Sequence, residues 1–106
     1  MKIDARTVDR NLLLECSGEL DHAGAKEAIR ELDLAMDAAV PLRLILDFSG
    51  ITFMDSSGIA LILRAHRKMQ LFGGSLVLCN VPAQAMRVLD AAGVSRIVTI
   101  RQEELK

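Results

Sequence analysis

Leu42-Arg43-Leu44-Ile45-Leu46-Asp47-Phe48, followed within five residues by Phe53-Met54-Asp55-Ser56-Ser57-Gly58 and then by the run from Ile59 to Phe72, carries the reading of the fold. The first segment is the short apolar run of a largely buried strand. In the third, Ile59, Ile62, Leu63, Ala65, Met69 and Phe72 recur at roughly helical spacing, with Arg64, Arg67 and Lys68 mostly elsewhere on the circumference. One acid and two hydroxyls therefore stand where a strand-to-loop connection opens a helix. Asp and Ser are favoured there because their oxygens accept bonds from the first unpaired backbone N–H groups. Those N–H groups, with the helix dipole behind them, also make a local anion site. Asp-Ser-Ser before an apolar helical run is equally what an ordinary N-cap looks like, so local physics alone leaves capping and function both open.

Outward from that stretch, the chain alternates strand and helix. Residues 2 to 8 place Ile3, Ala5 and Thr7 on one face and Lys2, Asp4 and Arg6 on the other, as a half-exposed strand does. Asp9-Arg10-Asn11 predicts a turn into a second strand, Leu12 to Cys16, antiparallel to the first because so short a link makes no parallel crossover. Gly18 is expected to end it. Asp21 caps a helix whose apolar stripe is Ala25, Ala28, Ile29, Leu32, Met36, Ala39 and Val40, and Pro41 stops it. The charges Lys26, Glu27, Arg30, Glu31, Asp33 and Asp37 read as its solvated face. After the second helix, Gly73-Gly74 makes a stop and turn, and Ser75 to Cys79 is another buried strand. Pro82 opens a third helix carrying Ala85, Met86, Leu89 and Ala92, which Gly93 terminates. Ile97 to Ile100 reads as a last strand, and Arg101 to Lys106 as a frayed or weakly helical tail.

Strands alternating with helices need right-handed crossovers, which predicts a mixed, mainly parallel α/β sheet with an N-terminal antiparallel hairpin and helices packed on it. A length of 106 residues supports one domain over residues 1–106. Functional groups of open α/β sheets collect beyond the carboxyl ends of the parallel strands. Asp47, Asp55-Ser56-Ser57 and the Gly18-Glu19-Leu20-Asp21-His22 loop all fall in that region, so two polar loops are expected to converge.

Composition narrows the chemistry. Only 3% of residues are aromatic, with no Trp or Tyr, which argues against stacking on nucleic-acid bases. The 13 basic and 14 acidic residues leave a formal charge of −1, so no global field favours phosphate backbones or anionic lipid. Direct nucleic-acid binding and membrane insertion are not expected. Cys16 and Cys79 sit in apolar or strand-like segments without CxxC or His-rich spacing and read as buried hydrophobes of a reducing cell, not as a disulfide or metal pair. No apolar run approaches the ~20 residues of a spanning helix, and the N-terminus lacks a signal-peptide core; a cytoplasmic location is the expectation. Ser56 or Ser57 would serve a hydrolase as nucleophile. However, the histidines are only His22 and His66, and there is neither a Gly-x-Ser-x-Gly elbow nor a phosphate-cradling Gly-rich loop. No enzyme, cofactor or metal is expected. An exposed hydroxyl at a helix start is better suited to being modified.

Met54-Asp55-Ser56-Ser57-Gly58, preceded by Leu46-Asp47-Phe48-Ser49-Gly50-Ile51-Thr52-Phe53 and with Gly18-Glu19-Leu20-Asp21 upstream, resembles the STAS domains, in particular the bacterial anti-anti-sigma factors, also called anti-sigma factor antagonists. The similarity extends to the Gly73-Gly74 turn and to Val88-Leu89-Asp90-Ala91-Ala92-Gly93-Val94. The resemblance implies that Ser56, the serine after the aspartate, is phosphorylated. Asp55, Asp21 and Ser57 match its acidic and hydroxyl neighbours, and the partner-binding surface it implies comprises Asp21, Met54, Asp55, Ser57, Gly58 and Ile59. It further implies partner switching: the unphosphorylated protein binds an anti-sigma factor serine kinase, phosphorylation ends that binding, and a PP2C-type phosphatase restores it. The alternative within the family is a small cytoplasmic subunit of an ABC lipid-transport complex, with Ser56 or Ser57 as a contact residue.

Overall fold

A computed structural model of the protein describes residues 1–102. Among these the order is β1 (Lys2–Val8), β2 (Asn11–Leu20), α1 (His22–Ala39), β3 (Arg43–Met54), α2 (Ser57–Phe72), β4 (Ser75–Cys79), α3 (Ala83–Ala92), a 3-10 turn at Val94–Arg96 and β5 (Thr99–Arg101). The strands form one sheet in chain order, with β1 antiparallel to β2 and all later neighbours parallel. Because each crossover advances by one strand in the same direction, crossovers of one hand place every helix on the same face.

The alternation of side chains follows from that placement. Leu12, Leu14 and Cys16 of β2, Leu44, Leu46 and Phe48 of β3, and Leu76 and Leu78 of β4 join the inner sides of all three helices in one buried cluster. Leu13, Glu15, Ile45, Asp47, Val77 and Cys79 lie between them in sequence and project to the opposite face. The two cysteines therefore stand on opposite faces of the sheet, and both are free thiols. Burial pushes the Cys16 thiol up to about 12, and burial with the nearby Asp47 carboxylate pushes Cys79 up to about 11. Neither is a poised nucleophile.

Several boundaries differ from those expected of the sequence. Strand β2 does not end at Gly18: that glycine takes a φ of +104°, and pairing with β3 continues through Ser17↔Gly50 and Gly18↔Ile51 after one register shift and through Glu19↔Phe53 and Leu20↔Met54 after a second. Strand β3 likewise runs on past Phe48, through Ser49-Gly50, to Met54. Bulges of this kind absorb an extra residue and sharpen the twist while the ladder continues, so a glycine inside a strand reads as its end unless the partner is known. Val40 leaves the α1 stripe, because the helix stops at Ala39 and Val40 caps it in the left-handed region at φ 40°. Arg101 belongs to β5, which begins at Thr99 and not at Ile97. The rest of the expected tail, residues 103–106, lies outside the described residues.

The acids of α1 are more than a solvated face. Arg64 of α2 donates from Nε and Nη2 to Asp33, at 3.0 and 2.6 Å, and Lys68 Nζ lies 3.3 Å from Asp33 and 2.8 Å from Asp37. These pairs tie α1 to α2 across their outer edge. The Arg64 guanidinium, and after it Lys68, holds the Asp33 carboxyl below its ordinary value of 3.8, and the hydrogen bond to Asp37 raises Lys68. A carboxyl lowered in the folded state contributes stability that is complete above its unfolded pKa and is lost as pH falls through the folded one. Asp33→Asn should therefore lower the melting temperature at pH 7, and the gap from wild type should close as the pH is taken below about 3.8. Thermal melts over a pH series check this; a gap that stays constant down to the acid limit would remove the ion cluster from the stability of the helix pair.

Candidate functional site

The ladder between β2 and β3 brings the two polar loops together. Leu20 and Met54 are the last paired residues, and the Asp55 N–H donates to the Leu20 carbonyl at 3.3 Å. Beyond this pair each chain turns into a helix by the same device. Asp21 Oδ1 accepts the Gly24 N–H at 2.8 Å and Asp55 Oδ1 accepts the Ser57 N–H at 2.8 Å. Both acids are thus capping groups at the starts of adjacent helices, as the Asx chemistry of these positions favours.

That division of labour decides what Ser56 does. Ser56 occupies the N-cap position of α2 with φ −62° and ψ −17°, and its side chain makes no cap hydrogen bond. It is exposed, while Asp55 and Ser57 on either side are half-buried. The Ser57 N–H is taken by Asp55, the Gly58 N–H by the Asp55 carbonyl at 3.1 Å, and the Ile59 N–H by the Ser56 carbonyl at 3.1 Å. The open anion site expected at the helix start is therefore largely filled from within, by a first turn wound with i to i+3 bonds. The ordinary capping role falls to Asp55, and the Ser56 hydroxyl is left facing outward.

The expected contact residues divide into two sets. Asp21, Asp55, Ser57 and Ile59 are half-buried near the surface, around the exposed Ser56. Met54 is fully buried and Gly58 is buried, so neither offers a side chain to a partner. A Cβ at Gly58 would stand 2.5 Å from Met54 Cγ and Sδ and 3.0 Å from Leu20 Cδ2. Gly58 is needed because the α2 backbone lies directly on those two core side chains. Their part is to seat the loop from beneath. Phe53, absent from the expected set, is 42% exposed beside the same turn. Strict alternation does not give the signal: Ile51 and Met54, three residues apart, are both buried, and the register shift opposite them decides that Met54 points in and Phe53 out.

A second missed residue is Gln84. Strand β4 pairs only with Arg43 to Asp47, so the later half of β3 has no strand neighbour on that side. The Gln84 side chain, in the first turn of α3, stands in for one: its Oε1 accepts the Met54 N–H at 2.8 Å and its Nε2 donates to the Met54 carbonyl at 2.7 Å. Gln102 repeats the arrangement on Val81, with both bonds at 2.8 Å, just before α3 begins. The Gln84 amide thus fixes the chain two residues ahead of Ser56, and the Gln102 amide fixes the chain two residues ahead of α3. No periodicity or motif marks a glutamine for this use.

His22 is exposed in the first turn of α1 and His66 is half-buried within α2, and neither bonds to Ser56 or Ser57 among the described residues. Among the described residues no group of three or more His, Cys, Asp or Glu side chains is placed to hold a metal ion, and no helix is long and apolar enough to cross a membrane. With strand order equal to chain order, the parallel part of the sheet has no reversal of direction and so none of the crevice in which α/β sheets take small ligands. The site is a surface.

Comparison with known proteins agrees with this architecture. The STAS domain family model matches residues 2–105. An anti-sigma F factor antagonist of Paenibacillus polymyxa is 31% identical over 94 residues, a match that covers 89% of this chain and 80% of that protein. The anti-sigma factor antagonist SpoIIAA in its unphosphorylated form has the same fold, with a TM-score of 0.80 at 24% identity, covering 96% of this chain and 90% of that one. The Bacillus cell fate determinant SpoIIAA in its phosphorylated form gives a TM-score of 0.71 at 24% identity over 96% and 93% of the two chains.

Removing the Gln84 amide leaves the Met54 N–H and carbonyl without their partners, a loss of about 1–3 kcal/mol for a buried pair. Gln84→Ala should lower stability by that order and raise amide exchange selectively over Met54 to Ser57. Gln84→Glu, which keeps the acceptor but sets a carboxylate oxygen against the Met54 carbonyl, should do the same. Exchange rates at those residues equal to wild type would show that the loop is held without the clamp.

Proposed function

The chain belongs to the STAS domain family, and on that premise we propose that it is an anti-sigma factor antagonist working by partner switching. The observation that carries the proposal is the outward Ser56 hydroxyl, at a helix start whose capping is done by Asp55. The names of its relatives support the same reading: one is an anti-sigma F factor antagonist, and SpoIIAA is known in both unphosphorylated and phosphorylated forms.

In this reading the whole chain, residues 1–106, acts as one domain. The unphosphorylated form presents Asp21, Asp55, Ser56, Ser57, Ile59 and the exposed Phe53 to an anti-sigma factor that is also a serine kinase, and the sigma factor is released. Met54 and Gly58 hold the loop in place from below. The kinase then transfers the γ-phosphoryl group of ATP to Ser56 Oγ, the hydroxyl proton departs and ADP leaves. A PP2C-type phosphatase hydrolyses the phosphoserine and returns the chain to its binding form. The protein is a substrate and a docking surface in this cycle, not the catalyst.

The switch needs no refolding. Phosphorylation adds about −1.5 to −2 charges at neutral pH, next to the Asp55 carboxylate. Pressed against a partner shaped for a neutral hydroxyl, that charge must shed water and meet whatever acid lies opposite, and such like-charge juxtaposition costs several kcal/mol. A differential of ~5.5 kcal/mol carries a two-state population from almost wholly bound to almost wholly free.

Ser56→Ala should bind the kinase and remain bound in the presence of ATP, whereas Ser56→Asp should be retained at least about tenfold less well, the effect of ~1.4 kcal/mol. Ser57→Ala should still accept phosphate. Pull-downs from the native host with wild type and Ser56→Asp, followed by identification of the retained proteins, test the assignment. Equal retention of a kinase by both would remove the electrostatic switch, and equal retention of a transport ATPase would make the chain a constitutive subunit instead.

A further inference from the structure

Ser56 does not face open solvent on every side. It lines a groove of ≈ 510 Å³ between the start of α2 and the outer side of α3, together with Ile59, Gln84, Arg87, Val88 and Ala91. Residues 84, 87, 88 and 91 recur at helical spacing, so one side of α3 faces the loop. The walls are apolar at Ile59, Val88 and Ala91. The Gln84 amide is already engaged at both ends by Met54. Arg87 is exposed and belongs to none of the ion pairs among the described residues. Ser56 and Arg87 are therefore the two polar side chains of this groove whose hydrogen-bonding groups have no partner among the described residues.

A phosphate on Ser56 would find little help in the α2 backbone, since the Ser57, Gly58 and Ile59 N–H groups already donate to Asp55 and to the Ser56 carbonyl. The acid beside the position is Asp55; Asp90 follows Arg87 by three residues on α3 but does not line the groove. The lining supplies one cation, and it is a guanidinium, whose planar fork matches two phosphate oxygens at once.

We propose that the α2–α3 groove is a phosphate subsite in which Arg87 captures the phosphoryl group carried by Ser56 of the same chain. This rests on the reading of Ser56 as the modified residue and deepens it. Phosphorylation then does two things: it sets a charge against the partner, and it closes the groove with an internal ion pair that stabilises the unbound form. In the unphosphorylated chain the same guanidinium stays available to an acidic group of the partner.

Phosphoserine introduced directly at position 56 of the full chain, by genetic incorporation, separates this test from the identity of any kinase. Phosphorus NMR titration then reads the second ionisation of the phosphate. An adjacent Arg favours the dianion, so the wild-type midpoint should lie at least about half a pH unit below that of Arg87→Ala. Arg87→Lys, which keeps the charge without the fork, should retain part of the shift. Arg96→Ala, a change of equal charge outside the groove, should retain all of it. Coincident curves for wild type and Arg87→Ala would overturn the capture, and so would an equal loss in Arg96→Ala, which would reduce the effect to net charge. Loss of the partner-switching reading would show in the pull-downs and leave this titration unaffected.

Discussion

The rest of the molecule depends on one constraint: every helix must cover the same face of the sheet. Strand order equal to chain order imposes it, and one row of side chains in β2, β3 and β4 answers it with Leu, Cys and a single Phe. With almost no aromatic volume available, the core closes through long, adaptable side chains such as Met36, Met54 and Met69, all essentially fully buried. Met54 is the point where this packing meets the surface. It ends β3, pairs with Leu20, lies beneath Gly58, and is held along its backbone by Gln84. A residue with no exposed atoms thereby fixes the position of an exposed hydroxyl two residues later.

The site built on that anchor satisfies its first backbone donors from within. Asp21 and Asp55 close the first turns of their helices, and the backbone of α2 satisfies its own first donors. Ser56 is the exposed residue of this turn and its hydroxyl makes no hydrogen bond among the described residues, so an added phosphate would change the charge of the surface while disturbing no bond the fold requires. The groove beside it supplies the cation that the helix start does not.

The ion pairs between α1 and α2 have a different character. They sit at the outer edge of the helix pair, partly in solvent, where screening keeps each contribution small. They link Asp33 and Asp37 of α1 to Arg64 and Lys68 of α2, the two helices that follow the Asp21 and Asp55 turns, along an edge whose interior is packed by the core.

The element order, the antiparallel start, the Asp21 cap, the Pro82 entry and the Gly93 exit of α3 were legible because each rests on neighbours in sequence: periodicity, φ preference or a side chain reaching two or three residues along. The strand-to-helix turn at Asp55-Ser56-Ser57 was legible for the same reason, and with it the candidate hydroxyl. Where β2 and β3 end was not, since a bulge is defined by the partner strand and Gly18 alone cannot distinguish a bulge from a stop. Nor was the separation of buried Met54 from exposed Phe53 at the site, or the use of Gln84 from 30 residues away to complete the edge of β3. Those features depend on which element lies opposite, and only the tertiary structure decides that. Local sequence determined the turn that presents Ser56; the fold determined what that turn rests on and what faces it.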